Sequence, residues 1–521
     1  MASFNQTFDF ANWDQAKFDT YRNIEDERAD KVARFIINSP HYTQVYEALS
    51  KIAQNNCPVT LQLFSDIIKD RALRAGATVS ADITTGMAGA AAPPTNSAAP
   101  GAHDHGDQTE SEVHNADDCL TDKDHEELVE QLNDYFNDLS LFDFVETDKD
   151  SLEKGSDIFN FYYVHCTFAL GVRSLMKQYS AFNATQVLKF TKLIYDMPYR
   201  RIMETVQFVM DVMDPKGFEA DGYAIRSIQK LRLVHAMIRV RIHEQLYDKT
   251  KKPGDPLLGP WKADEWGQPI NQQDMIFAVH TFSIEVLEAL IGIGEFSLKK
   301  PEDCEKIEAY YMMWHHIGRA LGTMDEINPV TFAEGKKLQQ IIYAKQFVPS
   351  PNVDILVPPL VGFVAKLLSV RENSKVYALT RYYNPMLEDK IAFKKILKID
   401  LDNNSDRRFY RLISFTFFSL KMIFSVILAF MSEEEKKKKA HALLSLNYEL
   451  LAKVIFVASD GQYKTGSHFR VADGFGLPAP VINYADFEDQ KPFFYSLMKL
   501  LFLKIWNAIK EFFIKIFKKK P

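Results

Sequence analysis

Cysteine is scarce: the 521 residues contain four, Cys57, Cys119, Cys166 and Cys304, with no two at the close spacing of a zinc knuckle or a redox pair. A disulfide scaffold is thereby excluded, and a reducing, intracellular compartment is expected. Charge of one sign is also lacking. Lys and Arg total 62 against 69 Asp and Glu, a net charge of -7 with no basic stripe to track nucleic acid. The first ten residues, MASFNQTFDF, have neither a basic start nor an apolar run, so no export signal is expected. Alternating strand patterns and internal repeats are absent. No His-Glu-x-x-His occurs, and none of the 13 histidines has a glutamate three residues before it. Zincin chemistry and a di-iron carboxylate bundle are therefore ruled out.

What is present is helical periodicity over most of the chain, and the fold class expected is mainly α. Val32, Phe35 and Ile36, then Val45, Leu49 and Ile52, recur at steps of three and four, which marks residues 1–75 as an N-terminal helical segment. Residues 76–118 turn to Ala, Gly, Pro, Ser, Thr and Asp, too polar and small to bury a core. A disordered linker is expected there, its His103, His105 and His114 solvated. Residues 119–348 resume the helical pattern and read as the large functional core. Residues 349–490 form a C-terminal helical extension, entered through the Pro-rich PSPNVDILVPPLVGF, which reads as a connection. Within the extension, 412–431 is an apolar run interrupted by one charge, Lys421, long enough to span a bilayer or to form an embedded helix.

The tail, 491–521, has a sharper pattern. At 100° per residue Met498, Leu501, Phe502, Ile505, Trp506, Ile509, Phe512, Phe513 and Ile516 share one face. Lys499, Lys504, Lys510, Glu511 and Lys515 oppose them, and Lys518, Lys519 and Lys520 finish the chain. A wide aromatic face against lysines suits an anionic lipid interface, so membrane association through this tail is expected.

Two segments carry polar groups on otherwise apolar helix faces. In 226–246, RSIQKLRLVHAMIRVRIHEQL, His235 follows the stripe of Ile228, Leu231, Ile238 and Ile242, with Arg232 and Arg239 at minus three and plus four. In 199–213, YRRIMETVQFVMDVM, Arg201 and Thr205 lie one helical turn apart, with Val209 and Val212 continuing their face. Buried guanidinium and hydroxyl groups are costly without partners, so both segments are candidate chemistry. A lone inward histidine is more often a packed core residue, and an arginine is more often paired or solvated.

In chain order, GVRSLMKQY (171–179), RRIMET (200–205), RLVHAMIR (232–239), WGQPINQQDM (266–275) and WHHIGRALG (314–322) resemble the rubber-oxygenase family. That family includes the latex-clearing proteins and the fungal oxygenase of mycophenolic acid synthesis. The resemblance implies a globin-like helical core holding haem b. It implies His235 as the proximal iron ligand and Arg201 and Thr205 on the distal side; beside such a ligand, Arg232 and Arg239 are placed to meet haem propionates, which take bidentate cationic partners. With no Cys-x-x-Cys-His, attachment would be non-covalent. Some latex-clearing proteins carry a lysine just before the distal threonine; here Glu204 stands there, as in the membrane-bound branch, and is a candidate base. His165, His280, His315 and His316 are the rival ligands.

The function expected from this resemblance is dioxygen-dependent cleavage of a carbon–carbon double bond in an apolar, isoprenoid-like substrate, at an intracellular membrane. The reading from a different class is a membrane-associated helical carrier that binds haem or lipid without turnover. The Arg201–Thr205 pair favours chemistry, because a lipid carrier gains nothing from it.

Overall fold

The computed structural model describes residues 15–38, 122–190, 198–244, 261–368 and 370–429. The expected linker, the tail helix and the end of the apolar run beyond 429 lie outside the described residues. Among the described residues every regular element is helical, with one isolated bridge between Ala181 and Phe347. The longer helices are α1 (Glu27–Asn38), α2 (Asp122–Asn137), α3 (Lys149–Phe161), α4 (Pro198–Met213), α5 (Ala224–His243), α6 (Gln272–Phe282), α7 (Ile284–Gly292), α8 (Pro301–Ala320), α9 (Phe332–Gln346), α10 (Pro351–Leu367), α11 (Asn373–Tyr383), α12 (Leu387–Lys395) and α13 (Arg407–Ala429). Between α3 and α4, Tyr163–Ala169 passes through a π-helical turn, Leu170–Ser174, into Leu175–Tyr179.

Side-chain caps start α3, α6, α9 and α10. Asp148 accepts the amide of Ser151 at the head of α3, Asn271 that of Asp274 at α6, and Thr331 that of Glu334 at α9. The continuous stretch Gln272–Gly292, α6 and α7 together, is long and apolar enough to cross a membrane, but 72% of its most apolar window is buried inside the protein. Val279, Ile284, Val286, Leu287 and Leu290 instead form the centre of the main core with Trp314 of α8 and Leu356 and Leu360 of α10.

Two features depart from the sequence reading. The Pro-rich stretch at 351 is no connection but the 17-residue helix α10. Ser350 caps it and Pro351 sits at its first position, where no amide is needed. Pro358 and Pro359 lie inside it on the less buried side, so the carbonyls they leave unpaired reach water while Leu356, Val357, Leu360, Val361 and Val364 hold the other side in the core. The second feature is α13. Ile413 and Phe417 pack inward, the latter against His165 and Tyr382, while Leu412, Phe415, Phe418 and Met422 are 52%, 71%, 63% and 51% exposed. Lys421, the lone charge of the run, reaches the α7–α8 loop, where it pairs with Glu295 at 3.4 Å and donates to the carbonyl of Gly294.

A buried charge network ties the π-helical turn to the rest. Arg173 contacts Glu285 at 2.6 Å, Glu288 at 2.9 Å and Asp389 at 2.5 Å. Lys177 pairs with Glu285 at 2.8 Å and Asp389 at 2.7 Å. These contacts run from residue 173 to residue 389, across the 348/349 boundary drawn on composition.

Candidate functional site

Helices α4 and α5 form a hairpin through the turn at 214–223. Gly217 and Gly222 allow this turn to close, because a Cβ at Gly217 would stand 3.0 Å from the Asp214 carbonyl and one at Gly222 2.6 Å from the Gly217 carbonyl carbon. Asp211 of α4 accepts from Gln207 at 2.7 Å and from the hydroxyl of Ser227 of α5. With that anchor at 211 and 227, equal rises of 1.5 Å per residue along the two helices bring His235 level with residue 203, within the span of Arg201 to Thr205. The hairpin therefore unites at one level the helix turns that carry His235, Arg201, Glu204 and Thr205.

Burial changes along the hairpin. Near its turn Val209, Met210, Val212, Met213, Ile225 and Ile228 are buried in the main core. At the upper level Glu204, Thr205, Val206, Leu231, Val234 and His235 are each half-buried. The backbone of Arg201 lies in α4; its side chain is outside the described residues. On the same side as His235 a small apolar cluster of Val187, Ile238 and Ile242, with Val234, Trp261 and Ile270 against it, stands apart from the main core.

Arg232 and Arg239, expected beside His235, have protein partners. Arg232 donates bidentately to Asp26, at 2.5 and 2.8 Å. Arg239, 2% exposed, donates to Asp30 at 2.8 and 3.1 Å and to the carbonyl of Ile270 at 2.9 Å. Desolvation raises the Asp30 carboxyl pKa, opposed by Arg239. Either guanidinium would have to leave such a pair before meeting any other carboxylate.

The four rival histidines occupy distinct environments. His165 Nδ1 lies 2.9 Å from the hydroxyl of Tyr383, and burial, with Lys421 nearby, lowers its pKa to about 4. His315 Nδ1 lies 3.0 Å from the carbonyl of Pro329, and burial, followed by His316, brings it to about 4. His316 stacks on Phe144 and contacts Asp148 at 2.9 Å. His280 is fully buried, neither ring nitrogen has a hydrogen-bond partner among the described residues, and burial lowers its pKa to about 3. Three of the four thus have protein partners, and His280 has none among the described residues. Cys166 is likewise buried, with its pKa raised by desolvation, as fits a small packed hydrophobe.

Among the described residues no three His, Cys, Asp or Glu side chains gather to hold a bare metal ion. Iron at this site would need a macrocycle to supply its other donors. The donor set fits such a group: one half-buried imidazole beside apolar Val234, Ile238 and Ile242, with a hydroxyl and a carboxyl on the neighbouring helix.

The charge network of Arg173, Lys177, Glu285, Glu288 and Asp389 escaped sequence reasoning, although a signal was there. Arg173 and Lys177 are four apart in the otherwise apolar GVRSLMKQY, and two cations on one buried face require anions opposite. Asp26 and Asp30 gave no comparable signal, since acids near a helix start are ordinary.

Residues 163–389 match the catalytic domain described as ER-bound oxygenase mpaB/B'/rubber oxygenase. The rubber oxygenase of Streptomyces sp. (strain K30) is 23% identical over 237 residues, 45% of this chain and 54% of that protein, so the chain spans about half the length of that curated relative. The solved structure of latex clearing protein LCP in the closed state aligns at 18% identity and a TM-score of 0.46, covering 76% of this chain and 81% of that one. The matched region, residues 163–389, holds the hairpin, the charge network and the central α6–α7 pair, and is similar to the catalytic domain of the rubber oxygenases.

Proposed function

We propose that this protein is a haem b-dependent oxygenase that cleaves a carbon–carbon double bond of an apolar, isoprenoid-like substrate with dioxygen. The observation that carries the reading is the α4–α5 hairpin, which sets His235 level with Arg201–Thr205 in a half-buried, apolar-walled seam. The family match supplies the reaction class.

His235 is the residue that would hold the iron, and the apolar side chains Val234, Ile238 and Ile242 around it would exclude water from that side. When bound, the haem supplies the redox chemistry with dioxygen. Thr205 donates its hydroxyl proton, and Arg201 its guanidinium N–H groups, toward negative charge that builds on oxygen. Glu204 takes or returns a proton at its carboxylate. The membrane reading belongs to the same proposal: an apolar substrate arrives through lipid, and the basic aromatic tail at 491–521 keeps the protein at an intracellular membrane surface.

The test is oxygen uptake by the reduced, haem-loaded protein with a polyprenyl alkene, followed by carbonyl analysis of the products. Aldehyde or ketone ends formed by wild type and lost in Thr205→Ala and His235→Ala support the proposal. Stoichiometric haem with no oxygen uptake on any alkene refutes it and leaves the carrier.

A further inference from the structure

The helix that carries His235 is gripped from outside the family-matched region. Asp26 and Asp30 belong to the N-terminal segment, whereas the match begins at residue 163. Their partners, Arg232 and Arg239, stand three residues before and four after His235, so the two pairs bracket it along α5.

The geometry is directional. Asp26 accepts through both carboxylate oxygens, one from Arg232 Nε and one from its terminal nitrogen, and also receives the amide of Ala29 at 3.3 Å, which fixes it at the head of α1. Asp30 receives Arg239 Nε and lies 2.8 Å from its terminal nitrogen, while the other arm of that guanidinium is held by the Ile270 carbonyl. A third contact, Glu25 to His243 at 2.5 Å, extends the same row. The close approach depends on Gly322, at φ 96°: a Cβ there would stand 3.0 Å from Arg232 Nε and 3.2 Å from the Asp26 carboxyl carbon.

Such pairs are a poor way to gain stability. Two buried charged pairs contribute little over apolar residues of the same volume, because desolvation consumes the Coulomb gain. What they supply is orientation. The apolar contact between α1 and α5 joins Ala29, Val32, Ala33 and Ile36 to Leu233, Ala236, Met237 and Val240, in a cluster shared with Leu128, Leu132 and Phe136 of α2; such contacts are non-directional, whereas the charged pairs are not. A rotation of α5 by about 20° would swing a side chain some 5–6 Å from its axis through about 2 Å, enough to misaim an imidazole.

We propose that Asp26 and Asp30 are positioning residues that set the rotation of α5 and thereby the aim of the His235 ring, which makes the N-terminal segment part of the functional unit. This rests on the reading of His235 as the iron's ligand, but it is testable without haem.

The experiment uses the full-length, haem-free protein with isotopically labelled histidine. The His235 ring resonances are assigned by their loss in His235→Ala. Asp26→Asn and Asp30→Asn keep side-chain volume and should shift or split those resonances. Val32→Ala thins the same interface without touching the pairs; it should lower the melting temperature yet leave them in place, and Asp30→Glu should restore the wild-type position in part. His235 signals that stay unmoved in both Asn variants, or that move as far in Val32→Ala, overturn the proposal. A second readout is the midpoint potential of the haem-loaded protein, which should shift in the Asn variants and not in Val32→Ala. Should the His235 resonances respond while His235→Ala leaves the haem spectrum unchanged, the ligand reading fails and the clamp stands.

Discussion

Replacing Glu285 with glutamine tests the physical account of the interior most sharply. Glu285 is 1% exposed and contacts Arg173 at 2.6 Å and Lys177 at 2.8 Å. It also accepts from Gln339 at 2.7 Å and from the hydroxyl of Tyr343. Burial alone would raise its pKa, yet Arg173 and then Lys177 more than offset that, and the net direction is down. Glu285→Gln preserves shape and removes the charge, leaving two buried cations facing Asp389 and the half-buried, Lys336-paired Glu288. Breaking a buried pair of this kind costs about 3–5 kcal/mol. With about 300 ordered residues, each contributing roughly 2.1 cal/mol/K to the unfolding entropy, that is a fall in Tm of about 5–8 °C. Thermal unfolding followed by far-ultraviolet circular dichroism reads it. The pairing itself is isolated by a double-mutant cycle with Lys177→Met, in which the Glu285→Gln effect should shrink by about 1–3 kcal/mol. A Tm within about 1 °C of wild type, or strict additivity in the cycle, refutes the view that Glu285 is an ionised hub.

Further outcomes follow from the same interior. Folded-state pKa values of about 4, 3 and 4 for His165, His280 and His315 lie below the ordinary value, so the unfolded chain binds more protons between about pH 6.5 and 4. Their contribution is fully present above that window and falls by about 4 kcal/mol per pH unit within it, but burial raises the Asp214 and Asp274 carboxyls to about 6 and 7, and these bind protons in the folded state and offset about 3 kcal/mol per unit below pH 6. The net fall, read as the urea midpoint against pH, should be about 1 kcal/mol per unit between pH 6 and 4; a midpoint that rises over that range contradicts it. Gly335→Ala would push a Cβ to 2.6 Å from Tyr311 Cζ and strain the hydroxyl's 3.0 Å bond to the Pro329 carbonyl, at a cost of about 1–3 kcal/mol by denaturant titration. Pro358→Ala should stabilise α10 by about 1–3 kcal/mol, since it restores an amide donor to a solvent-side carbonyl; a lower Tm would mean that the proline acts by rigidifying the unfolded chain.

Much of the architecture was legible in the sequence because helix periodicity is a local property. The stripe through His235 and the inward face of α1 both follow from spacing alone. Partners distant in sequence are a different matter. Arg232 and Arg239 were recognised as unusual beside His235, but nothing local names Asp26 and Asp30, more than 200 residues earlier, as what they hold. The same limit hid Asp389 from Arg173. In α10 the local rule itself misled: two internal prolines read as a break, and tertiary burial of the opposite face carried the helix through them.

The central claim, that His235 is the protein's hold on a haem iron, is met most directly by the visible absorption spectrum of purified protein from haem-replete cells. Wild type should show a Soret band with stoichiometric haem b by pyridine haemochrome. That band should be lost or displaced in His235→Ala and retained in the control His280→Ala, whose ring is sealed in the core. A colourless wild type, or a band that His235→Ala leaves where it was, would contradict the account.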